Sequence, residues 1–100
     1  EHKRIEKITK LQSMLANLEN KALRLNESID RDKDILANFV TRVSQITTND
    51  EESIKAELNT KIDTINIRIK EKEISLQEVQ QKTDDIQKEL NMIQVLPIQE

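Results

Sequence analysis

Apolar residues recur every three or four positions along this 100-residue chain, and they do so in two runs. The first run is Ile8, Leu11, Leu15, Leu18, Ala22, Leu25, Ile29, Asp32, Leu36, Phe39, Val43 and Ile46. With Ile8 as a and Leu11 as d of a heptad, Asp32 is its one position that is not apolar. The second run starts a new frame at Lys55 (a) and continues through Leu58, Ile62, Ile65, Ile69, Lys72, Leu76, Val79, Thr83, Ile86, Leu90 and Ile93. A seven-residue repeat held this long keeps one narrow apolar seam facing a partner helix, which predicts a coiled coil.

The two frames do not join. Val43 and Ile62 are both a positions, yet they lie 19 residues apart, two heptads plus five. A stutter inserts four residues and a stammer three, so one unbroken helix could not carry both seams without local rewinding. Between the runs lies "TTNDEES", residues 47 to 53. Thr48 with Glu51, and Asn49 with Glu52, have capping-box spacing. Asp50, Glu51 and Glu52 place negative charge where the dipole of a new helix favours it. Helices often close with Gly, and this chain has none. The pattern predicts an all-α fold: a coiled coil of two long helices, about 3–46 and 50–96, folded as an antiparallel helical hairpin. Pro97 stops the second helix, with Val95, Leu96 and Ile98 as apolar residues around it. The alternative is a long continuous-helix dimer, either parallel or antiparallel; the antiparallel form makes the hairpin's contacts between chains.

In the antiparallel register the facing residue numbers sum to 101, as in Leu11 with Leu90, Leu25 with Leu76 and Phe39 with Ile62. The centre then falls inside the capping stretch. Asp32 and Lys72 occupy adjacent layers, so the two seam charges form a core charge pair. A parallel in-register dimer would instead set Asp32 against Asp32 and Lys72 against Lys72. One feature opposes the hairpin. Lys7, Lys21, Arg42, Lys61, Arg68 and Lys82 make the g positions mostly basic, with Glu89 the exception, and the hairpin brings Arg42 near Lys61. Exposed pairs are worth only about 0.3–0.5 kcal/mol, so the core charges decide. Apolar residues also stand off the seam: Leu23, Ile35, Val40 and Ile54, and Ile67 with Ile74 one heptad apart at f, a possible second contact face.

Composition narrows the function. The chain has no Gly, Trp, Tyr or Cys, one Phe, and 35% charged residues, the profile of long helices packed along a seam. A net charge of −3 with interspersed signs does not call for nucleic acid. No apolar run approaches the length of a transmembrane segment. His2 is the only histidine, and no Cys/His cluster, phosphate loop or nucleophile with a base is present, so no catalytic, cofactor or metal site is expected. Asn26-Glu27-Ser28 matches a glycosylation sequon, which reads as chance in the middle of a helix.

Residues 1–100 read as a single coiled-coil module, part of a larger protein. The expected role is a non-catalytic oligomerisation or scaffold module, intracellular in the cytoplasm or nucleus, whose partner is protein: itself, another coiled-coil subunit, or both. In heptads, Asn- and Ile-rich composition and polar faces it resembles coils of cytoskeletal, kinetochore, tethering and autophagy scaffold subunits. A tethering or regulatory coil of such a complex is one alternative, and a helical arm inserted in an ATPase-type enzyme is another.

Overall fold

The computed structural model describes residues 2–46 and 51–95. The fold is all-α, a helical hairpin of α1 (His2–Ser44) and α2 (Glu52–Val95). Both helices lack Gly and Pro, so no residue inside them opposes helical φ/ψ. Threonine, a weaker helix former, is accommodated by its own hydroxyl. Thr9, Thr41, Thr60, Thr64 and Thr83 each donate to the carbonyl four residues back. Exposed pairs one turn apart add support, among them Glu57 with Lys61 and Gln81 with Asp85.

The α-helix of α1 stops at Ser44, two residues short of the expected 46, because the last turn tightens. The Gln45 amide is shared between the carbonyls of Thr41 and Arg42, and the Ile46 amide donates to Val43. The Ser44 hydroxyl takes up the Thr41 carbonyl as well. Short-range bonds of this kind serve the orphan carbonyls of a helix end. They make a glycine cap unnecessary: no described residue has positive φ. Arg42 lies in the last turn, and Glu52 in the first turn of α2, each favourable for the dipole it faces. The Thr48, Asn49 and Asp50 caps and the Leu96, Pro97 and Ile98 terminus lie outside the described residues.

The chain divides into two compact units, Glu1–Arg24 with Leu76–Glu100, and Leu25–Ser75. The first is an antiparallel pair in which Arg4 donates to the Ile93 carbonyl and Lys7 pairs with Glu89 at 3.2 Å. Its core is Leu11, Ile86 and Leu90, flanked by Ile8, Leu15, Leu18 and Ile93. The second unit is an antiparallel pair that contains the reversal between the helices. There Asp32 meets Arg68 and Lys72, and Lys61 lies over the Phe39 ring, 5.9 Å from its centre.

Candidate functional site

A two-helix seam is too thin to enclose side chains fully, and the burial pattern shows where it falls short. Among the described residues eight apolar side chains are buried: Leu11 and Ile29 on α1, and Leu58, Ile65, Ile69, Val79, Ile86 and Leu90 on α2. The remaining apolar seam residues on α1, namely Ile8, Leu15, Leu18, Ala22, Leu25, Leu36, Phe39 and Val43, are only half-buried, as is Ile46 just beyond it. On α2 the half-buried ones are Ile62, Leu76 and Ile93. Full burial of one such side chain is worth about 1.5–3 kcal/mol, so α1 leaves part of its apolar stripe uncompensated. Lys55, the first a position of the second frame, is exposed. Its layer partner in the register is Ile46, which lies past the end of α1, so no helical face covers it.

Among the described residues Asp32 is the one buried charged residue, at 4% exposure. Lys72 reaches it at 2.5 Å and also donates to the Ser28 hydroxyl at 2.7 Å. Arg68 adds a second cation that the heptad pattern did not single out. Its Nη2 donates to Asp32 Oδ1 at 3.0 Å, and its Nε lies 3.4 Å from Oδ2. Arg68 is one of the basic g residues, four positions before Lys72 on the same helix face. That spacing beside a core acid was the signal available for it. The hydrogen bonds from Arg68 and then from Lys72 hold the Asp32 carboxyl below the ordinary carboxylate range, against an opposing desolvation effect. Among the described residues no buried side-chain polar atom lacks a hydrogen-bond partner.

Three of the basic g residues, Lys7, Lys61 and Arg68, have acidic partners, whereas Lys21, Arg42 and Lys82 form no ion pair among the described residues. Lys7 is matched by Glu89, and Lys61 bonds Glu57 at 3.8 Å while it covers Phe39. The off-seam apolar residues stay in solvent. Ile67 is 61% exposed and Ile74 52%, with Leu23, Ile35, Val40 and Ile54 exposed as well. Ile5, Met14 and Met92 join them, and the seam reading had not marked these three.

In the unit built from both chain ends, two shallow recesses meet at Met14. One, of about 400 Å³, is lined by Met14, Asn17, Leu18, Lys82, Asp85 and Ile86. The other, of about 500 Å³, is lined by Lys3, Glu6, Lys7, Lys10, Leu11, Met14 and Glu89. Among the described residues no group of His, Cys, Asp and Glu side chains is arranged to hold a metal, and no helix is long and apolar enough to cross a membrane. These surfaces can bury apolar side chains and pair charges. Comparison of the chain with protein-family models, with curated proteins and with solved structures returns no match.

Proposed function

We propose that this chain is a non-catalytic coiled-coil interaction module that holds a larger protein to a partner subunit or to another copy of itself. The observation that carries the reading is the incomplete seam. The α1 stripe stays half-covered, while among the described residues nine large apolar side chains stand exposed on otherwise polar helices. Scattered single exposures are ordinary. Exposures at heptad spacing, as with Ile67 and Ile74, describe a face that a further helix would cover. The absence of Cys suits a reducing environment, and we place the module inside the cell.

A helical arm inserted in a larger protein is the second reading. The Arg4 bond to the Ile93 carbonyl favours it, because an insertion requires both ends of the arm at one place.

Photo-crosslinking residues at Met14, Ile67 and Ile74, in the full protein in its own cells, test the proposal. An interaction module gives one recurrent adduct, with a defined partner or with itself. Adducts no more frequent than at the polar exposed position Asp34 would remove the basis for the reading.

A further inference from the structure

We infer that the exposed isoleucine face of α2 joins two copies of this chain, antiparallel about a two-fold axis, with Ile67 of one copy on Ile74 of the other and Lys70 paired to Glu71. The inference rests on the interaction-module reading and names the partner as the chain itself.

The face lies wholly within the unit Leu25–Ser75. Ile67, Lys70, Glu71 and Ile74 stand at i, i+3, i+4 and i+7, which is one stripe of a helix. All four are exposed, as are Asp63, Thr64 and Glu73 around them. The neighbouring a and d residues Ile69 and Ile65 are buried in the seam, so a further helix can lie on the stripe without disturbing it. Thr60 and Thr64, on the turns before Ile67, donate their hydroxyls back to the Ala56 and Thr60 carbonyls. Neither hydroxyl needs a donor's partner from outside.

The order of the four residues selects the occupant. Lys70 and Glu71 form no ion pair among the described residues. When two copies of the stripe run antiparallel, facing residue numbers sum to 141: Ile67 meets Ile74, and Lys70 meets Glu71. The two-fold axis repeats each contact, so both isoleucines of each copy are covered and both charges are matched. An acidic helix would satisfy Lys70 and oppose Glu71, and a basic helix the reverse. A parallel second copy would set Lys70 against Lys70. An anionic membrane surface favours a basic polar face, whereas Asp63, Glu71 and Glu73 flank these isoleucines.

The same register limits the contact. It places Asp63 opposite Glu78, a like-charged pair, so the favourable part spans about two helical turns. That is smaller than a standard interface, and the dimer is therefore weak and concentration-dependent.

Sedimentation equilibrium of the full chain across roughly 10 µM to 1 mM should show monomer passing into dimer. Ile67→Glu with Ile74→Glu should leave monomer throughout. The K70E and E71K chains should each dimerise roughly fivefold or more weakly than wild type. An equimolar mixture of those two should recover the wild-type association, because it rebuilds both Lys–Glu pairs. All these chains should keep the wild-type circular dichroism, since the altered residues are exposed. Direction is read by disulfides, as the chain has no Cys of its own. Mixed I67C and I74C chains in glutathione buffer should form the mixed disulfide in preference to either homodisulfide. Four results would each overturn the inference: monomer at every concentration, a dimer that the isoleucine changes leave intact, a mixture no tighter than its components, or preferred homodisulfides. If the dimer is absent while crosslinks at Ile67 and Ile74 capture one recurrent foreign protein, this inference falls alone. If the dimer is absent and no recurrent crosslink forms, the interaction-module reading falls with it.

Discussion

Replacing Asp32 with asparagine keeps the shape of the side chain and removes its charge. The carboxylate accepts from Arg68 Nη2 at 3.0 Å and from Lys72 at 2.5 Å, with Arg68 Nε at 3.4 Å. Hydrogen bonds to charged groups contribute roughly 1.5–3 kcal/mol each when their donors are dry. These donors are not dry: the Arg68 side chain is 47% exposed and that of Lys72 26%. Both would recover water when the carboxylate is gone, so the expected net loss is about 2 kcal/mol. For a chain of this size that lowers Tm by roughly 8–16 °C. The pH dependence makes the test specific. The folded-state pKa of Asp32 is depressed, so its contribution is fully present above the unfolded value of about 3.9 and is lost as pH falls through the lower folded value. Thermal melts followed by circular dichroism at pH 7, 4, 3 and 2 should show the gap between wild type and Asp32→Asn constant from 7 to about 4. Below that the gap should close. A gap unchanged down to pH 2, or equal Tm values at pH 7, would refute the reasoning. Asp32→Leu offers a contrast. It regains about 1.5–3 kcal/mol of seam burial and should melt at or above the wild type.

Further outcomes follow from the same geometry. Helices of 43 and 44 residues should give circular dichroism above roughly 80% helix, and a value below half would contradict the fold. Leu18→Asp puts an unpaired charge at the half-buried edge of the seam, and should lower Tm by roughly 4–8 °C or more. Val79→Ala, at a side chain only 2% exposed, should cost roughly 2 kcal/mol by denaturant titration with an unchanged m-value. Spin labels at Lys7 and Gln94 should report a short distance that survives dilution with unlabelled chain, because the two helix ends pair within one molecule. Loss of that distance on dilution would mean the pairing is between chains.

The heptad period made the helices and their apolar stripes legible before any coordinates, because the facing side of a helix is a local property of spacing. The five-residue phase shift between Val43 and Ile62 marked the reversal for the same reason. Asp32 and Lys72 could be paired from register alone, since a hairpin ties the two frames together through one short connection. Tertiary structure decided the rest. Arg68 reaches Asp32 as well, because long cationic side chains choose partners across the seam by rotamer and exposure, which spacing does not encode. Lys7 takes Glu89 and Lys61 takes Glu57, so the row of basic g residues is not the uniform repulsion it resembles in sequence. Lys55 lost its seam role because the helix opposite it ends at Ser44, where the tightening of the final turn depends on bonds from Gln45, Ile46 and the Ser44 hydroxyl. The uneven burial of α1 and α2 was likewise invisible in the sequence. Both stripes obey one repeat, and only their packing determines which side chains lie in the middle and which at the edge.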